Sequence, residues 1–335
     1  MPNSFVTRSR IDPYIIALVL TAVLAAFFPV RGEPAAVLDT AVTIAIGFLF
    51  FLYGARLPRG ATWEGVRHWR LHGAILLSTY ALFPVLGLAT AVLVPAVLTE
   101  PLHLGLLFLC VLPSTVQSSI TFTSLAGGNV AAAICAATFS NVLGVLLTPV
   151  LAGLLLAGGT GAVPLDALPE IVLLLLVPFL LGQLARRWIG EWVRARRALG
   201  KLDRVVILAV VFTAFSEGTA HGIWEQLTPS GLLLLAAVCL VLLVVVLAVT
   251  SLAARWCGFS TPDRIALVFA GSKKSLASGL PMASVLLPAA SVGLLVLPLM
   301  LYHQLQLIAC AWLARRFADR SADDAASAPV PEASA

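Results

Sequence analysis

From Leu232 to Ala254 the chain carries no charged residue. A helix of about 20 apolar residues is long enough to cross the hydrocarbon core of a bilayer. In that medium every backbone N–H and C=O must be satisfied within the protein, so the run is expected to be a spanning helix. It is not alone. Apolar segments recur at roughly 11–30, 37–57, 71–93, 102–126, 129–157, 167–189, 203–222, 231–256, 263–287 and 289–316. Overall 60% of the residues are apolar and 11% are charged, against about 45–50% and about 25% in soluble domains. The expected fold class is an all-α polytopic membrane protein with ten transmembrane helices.

Charge placement tests that count. With ten spans and both termini on the cytoplasmic side, the inside segments hold Arg8 and Arg10, then Arg56, Arg59, Arg67 and Arg70. The next carries Arg186, Arg187, Arg194, Arg196, Arg197, Lys201 and Arg204. Arg255 and Arg264 follow, and finally Arg315, Arg316 and Arg320. The outside loops hold only Arg31, as the positive-inside rule requires. Residues 1–10 then form a cytoplasmic N-terminus. The segment from Ile11 is too long for a signal-peptide core and is expected to be a retained first span. Residues 317–335 are small, polar and Pro-containing, and read as a disordered cytoplasmic tail.

The Gly-rich stretch 158–166 divides five spans (11–157) from five (167–316). An odd number per half inverts the second half relative to the first, an arrangement common among secondary transporters. The fourth segment of each half is interrupted at a matching place. One reads Leu112-Pro-Ser-Thr-Val-Gln-Ser-Ser-Ile-Thr-Phe-Thr-Ser124, in which Pro113 removes a backbone donor. The other reads Phe269-Ala-Gly-Ser-Lys-Lys-Ser-Leu-Ala-Ser-Gly279. Paired polar breaks of this kind point to a solute or ion site. Its candidate residues are Ser114, Thr115, Gln117, Ser118, Ser119, Thr121, Asn141, Gly271, Ser272, Lys273, Lys274 and Ser275.

Lys273 and Lys274 stand near the middle of their span, where a charge costs about 2.5–3.5 kcal/mol on the insertion scale. No acidic residue lies at the centre of a span. Asp39, Glu170 and Glu217 come closest, at the outer ends. The lysines could bind an anionic solute, replace a coupling cation, or tie to Glu217 or to carbonyls. Adjacent helical residues diverge by about 100°, so both could face one cavity only where the helix is unwound. Thr138, Asn141 and Thr148 share one face of the fifth segment. Tyr302, His303 and Gln306 form a further polar patch in the tenth. The five cysteines lack metal-ligand spacing. No HExxH or GxSxG occurs, so no enzyme is expected, and no basic stripe suits a nucleic acid.

PSTVQSSITFTSLAGGNVAAA, SNVLGVLLTPVLAGLLL and GSKKSLASGLPM together resemble the bile acid:sodium symporter family, in particular a branch with bacterial members. The resemblance implies two inverted five-helix repeats, core and panel domains, and fourth and ninth helices that cross at the site. It also implies a bacterial inner-membrane location and symport of an organic anion. Sodium-coupled members carry a Ser-Asn pair, fifth-helix hydroxyls, and a Glu and a Gln on the ninth helix. Here Ser119 matches, but Ile120, Ala133, Ala137, Phe269 and Lys273 fall at the other positions. Sodium or a proton therefore both stay open as coupling ion, with no other cofactor expected. The expected function is secondary transport of a small organic anion. A membrane regulator of ion homeostasis and a cation/proton antiporter are the alternatives. Substrate identity, transport direction and oligomeric state are not legible.

Overall fold

The computed structural model describes residues 13–56, 68–156, 168–222 and 227–326. The N-terminal segment 1–10 and the loop 158–166 lie outside them. Among the described residues the chain is helical throughout, with no strand. The helices are α1 (Pro13–Phe27), α2 (Glu33–Arg56), α3 (Trp69–Leu77), α4 (Phe83–Ala89), α5 (Glu100–Val111), α6 (Gln117–Leu125) and α7 (Val130–Leu156). They continue with α8 (Leu168–Ala195), α9 (Arg197–Ala220), α10 (Pro229–Trp256), α11 (Thr261–Gly271), α12 (Leu276–Leu286), α13 (Ala289–Leu295) and α14 (Leu297–Ala326). A π turn, Ser78–Leu82, joins α3 to α4.

Among the described residues six stretches are long and apolar enough to cross a membrane: Glu33–Arg56, Trp69–Leu93, Val130–Leu156, Leu173–Val193, Pro229–Trp256 and Ala289–Asp319. The fourth and ninth apolar segments are each built from two shorter helices, α5 with α6 and α11 with α12. Helix starts follow local chemistry. Thr228 accepts from the Gly231 N–H ahead of α10, and Ser260 accepts from the Asp263 N–H ahead of α11, each followed by proline in the first turn.

Polarity is distributed as a bilayer demands. Leu233, Val241, Val244 and Leu252 of α10 and Leu180, Leu181 and Leu184 of α8 are exposed. Ser114, Ser119, Ser272, Lys273, Lys274 and Gln306 are buried. Exposed tryptophans gather at the arginine-bearing helix ends. Arg187 lies over Trp188, Arg196 over Trp192 and Arg316 over Trp312, with 3.6, 4.5 and 5.2 Å to the ring centroids. Such amphipathic pairs suit the membrane–water interface. At that end Arg56 grips both carboxylate oxygens of Asp203 at 3.0 and 2.9 Å, joining α2 to α9.

Helix α2 packs along α8, and α1 along α9. Glycine makes the first pairing close. A Cβ on Gly54 would collide with the Phe179 carbonyl, and one on Gly182 with the Phe51 carbonyl. Backbone approaches of this kind are how lipid-embedded helices gain dispersion contact without a hydrophobic driving force.

One boundary is corrected. Helix α14 runs on to Ala326, so 317–326 is helical, where the composition read as disordered. Its alanines and arginines favour helix, and the Phe317 ring packs 6.1 Å from that of Phe269. Residues 327–335 lie outside the described part.

Gly182→Val should force α2 and α8 apart and cost about 1–3 kcal/mol by overpacking. Leu181→Val, on the exposed face beside it, should change the thermal unfolding midpoint little. Equal midpoints for the two variants in detergent would contradict this packing.

Candidate functional site

Helix α5 stops where Pro113 ends the donor ladder, and Leu112 takes extended backbone (φ −72°, ψ 155°). Helix α6 resumes at Gln117. Helix α11 likewise stops at Gly271, and Ser272–Ser275 separate it from α12. Ser275 is extended (φ −84°, ψ 113°) and caps α12 by accepting from the Ser278 N–H at 3.2 Å. The two interruptions lie against each other. The Ser275 N–H donates to the Pro113 carbonyl at 2.9 Å. Ser114 Oγ donates to the Ala270 carbonyl at 2.6 Å, and Ser119 Oγ to that of Phe269 at 3.2 Å.

Both lysines sit in this unwound stretch, and both are fully buried. Lys274 Nζ donates to three backbone carbonyls: Thr79 at 2.8 Å, Cys110 at 2.7 Å and Leu112 at 2.8 Å. An ammonium has three donors and a neutral amine only two, so this cage matches the charged form. The Phe83 ring closes it from one side, 4.1 Å from Nζ. Lys273 turns the other way. Its Nζ donates to the Ser118 carbonyl at 2.9 Å and lies 4.0 Å over the Phe122 ring and 5.5 Å from that of Phe269. The segment is unwound, yet the two ammoniums point apart: Lys274 to carbonyls at the end of α5 and in the π turn, Lys273 to one carbonyl on the first turn of α6. Neither meets a carboxylate among the described residues. Glu217, considered above as a tie, instead lies 3.6 Å from His221 Nδ1.

Neighbouring helices brace further backbone groups of the two breaks. On α7, Asn141 Nδ2 donates to the carbonyls of Ser114 and Ala137, both at 2.9 Å, and Thr148 Oγ1 to that of Val111 at 2.9 Å. Ser140 Oγ accepts from the Ser114 N–H at 3.0 Å. On α14, Gln306 pairs with both backbone groups of Lys274 at 2.9 Å, and Tyr302 Oη donates to the Ser272 carbonyl at 2.8 Å. His303 Nδ1 lies 2.8 Å from Gln306 Nε2, which makes it part of this bracing. From the π turn, Ser78 Oγ reaches the Gly271 carbonyl at 2.7 Å and Tyr80 reaches that of Ser140.

The twelve expected site residues therefore converge on one crossing but differ in availability. Ser114, Ser119, Asn141, Ser272, Lys274 and Ser275 are engaged with backbone groups. Thr115 shares hydroxyl contacts with Ser118 at 2.7 Å and Ser119 at 3.1 Å. The Gly271 carbonyl accepts from Ser78. Gln117 and Thr121, on the first turns of α6, are exposed. Ser78, Thr79, Tyr80 and Ser140 were missed. The only sequence sign of them is polar atoms in otherwise apolar segments. Among the described residues no three His, Cys, Asp or Glu side chains converge, so an ion here would rest on carbonyl and hydroxyl oxygens. Ala133, Ala137 and Phe269, three of the positions at which the resemblance would place sodium ligands, are buried.

The model of the SBF-like CPA transporter family matches residues 12–319. The chain is 51% identical to an uncharacterized protein of Pseudomonas aeruginosa, over 95% of this chain and 96% of that one. It is 47% identical to YfeH of Escherichia coli, provisionally named a symporter, over 92% and 93%. Sodium/bile acid cotransporter 7-B of Xenopus laevis is 29% identical over 90% of each chain.

Lys274→Met keeps the length of the side chain but strands three buried carbonyls, each worth about 1–3 kcal/mol. The expected loss is about 3–5 kcal/mol, with a smaller loss for Lys273→Met, which gives up one carbonyl and an aromatic face. Denaturant unfolding of the two variants checks the order, and a larger loss at Lys273 would refute the cage.

Proposed function

This chain belongs to the SBF-like CPA transporter family, and we propose that it is a secondary transporter of a small organic anion that needs no sodium. One observation carries the anion: the Lys273 ammonium, which meets no carboxylate among the described residues, lies at the first turn of α6, 2.9 Å from the Ser118 carbonyl, and its backbone just precedes α12. Helix N-termini carry partial positive charge and unpaired N–H groups, and broken transporter helices present them to anionic solutes. Gln117 and Thr121, exposed beside Lys273, would supply amide and hydroxyl contacts. Lys273 would draw the anion, while Lys274 would hold the crossing.

The absence of a sodium requirement rests on the cage. Three carbonyl oxygens at 2.7–2.8 Å would suit a small cation, and the Lys274 ammonium already occupies them. Around it we place ten spans in two inverted five-helix repeats, with α1, α2, α8 and α9 as the panel and the broken helices in the core. The arginine-rich ends and both termini would face the cytoplasm of a bacterial cell. Alternating access would then move the panel against the core.

Uptake into proteoliposomes of a panel of small carboxylates and sulfonates, with sodium or potassium as the only outside cation, tests both parts. Uptake of one or more anions at the same rate in either salt is expected. Strict sodium dependence would overturn the cage's role, and no anion uptake under any gradient would overturn the transporter.

A further inference from the structure

At the end of the molecule opposite the arginine-bearing loops lies a cavity of about 300 Å³. Its walls are the start of α2, the ends of α9 and α12 and the start of α13. It is remote from the helix crossing: Ser284 on its wall stands roughly 13 Å along α12 from Ser275. Most of the wall is apolar, as at Val292. Two carboxylates reach it, Asp39 from α2 and Glu217 from α9, together with the hydroxyls of Thr213, Ser216 and Ser284.

Ser216 separates this place from an ordinary acidic rim. It is 3% exposed, it lines the cavity, and its Oγ has no hydrogen-bond partner in the protein. Buried hydroxyls are nearly always paired, and an orphan calls for a partner. Its neighbours differ. Thr213 Oγ1 has the Ala209 and Val210 carbonyls at 3.1 and 3.0 Å, and Ser284 Oγ donates to that of Pro281 at 3.0 Å. Their hydrogens are engaged, so they face the cavity as acceptors. Carboxylates only accept. The wall thus offers negative charge and acceptors, and Ser216 can complete either kind of bond.

A matching ligand brings positive charge and N–H donors. The volume is at the lower end of small-molecule sites, and about ten times the share of one water, so a bare metal ion would leave most of it unfilled. The apolar walls suit a short carbon body. We infer that this cavity binds a small organic cation, a primary ammonium whose N–H groups reach Asp39, Glu217 and Ser216. His221, itself exposed, lies 3.6 Å from the Glu217 carboxylate. The bound cation joins α2 and α9 to α12 and α13. Binding itself requires no uptake, and it takes place between α2 and α9, assigned above to the panel, and α12 and α13 on the side of the core.

The test is thermal unfolding of the purified full chain with n-butylammonium chloride in potassium buffer. The expected result is a concentration-dependent rise of about 2–4 °C. Tetramethylammonium chloride, which has no N–H, and n-butanol, which has no charge, should give none. Asp39→Asn and Glu217→Gln should abolish the rise and Ser216→Ala should reduce it. An equal rise with tetramethylammonium, an undiminished rise in both carboxamide variants, or no rise at all would overturn the site. Should those variants fail to fold, Ser284→Cys in a Cys257→Ser background supplies a second readout. Butylammonium should slow its labelling by a maleimide, and an unchanged rate would equally overturn the site.

Discussion

The structure depends on one ammonium held by three carbonyls. Unwinding a helix inside a bilayer frees backbone oxygens where no water can reach them, and each unmet group is costly. Lys274 answers for three at once. Two belong to the end of α5 and the third, Thr79, to the π turn between α3 and α4, where the regular ladder is interrupted. A single side chain from the ninth apolar segment therefore pins the third and fourth. Its own backbone is pinned in turn by Gln306 of α14. Without that bracing neither break could persist, because a half-satisfied polar network is worse than an apolar core.

The same economy explains why the polar residues of α7 and α14 point inward. Asn141, Thr148, Ser140 and Tyr302 each meet a backbone group of an interrupted stretch. The joint between α2 and α8 is of another kind, built from glycine and apolar side chains, with the Arg56–Asp203 pair at one end of α2. Directional hydrogen bonds fix the crossing in one geometry. The α2–α8 joint is held instead by close backbone approach at Gly54 and Gly182. If the two groups of helices move relative to each other, the crossing is the body that stays intact.

Much of this was legible in the sequence, and the remainder was hidden for a physical reason. Pro113 and the Gly271–Ser275 stretch announce the breaks, because proline lacks a donor and lysine cannot sit unaided in lipid. The partners of the lysines were illegible. They are main-chain carbonyls of Thr79, Cys110, Leu112 and Ser118, and a carbonyl is the same whatever residue bears it. A census of acidic residues finds no partner because the partner is backbone. Ser78 and Tyr80 show in the sequence only as polar atoms in an apolar segment, and the carbonyls they meet are again backbone. The helical extension to Ala326 was missed because small polar composition speaks to weak burial, while alanine and arginine sustain helix without it.

A tethered cation changes what a transport cycle of this kind can do. A bound sodium ion organises an unwound crossing and then leaves on the far side, and its gradient drives the solute. An ammonium on a side chain organises the crossing by holding three carbonyl oxygens with a fixed charge, but it never leaves. The free energy of ordering the site is then supplied once, at folding, and not at every turnover. The solute meets a site that is already assembled, which favours affinity. It also meets one with no ion gradient attached through that cage. On the proposed assignment, net movement must follow the solute's own gradient, the membrane potential acting on its charge, or an ion bound elsewhere in the protein.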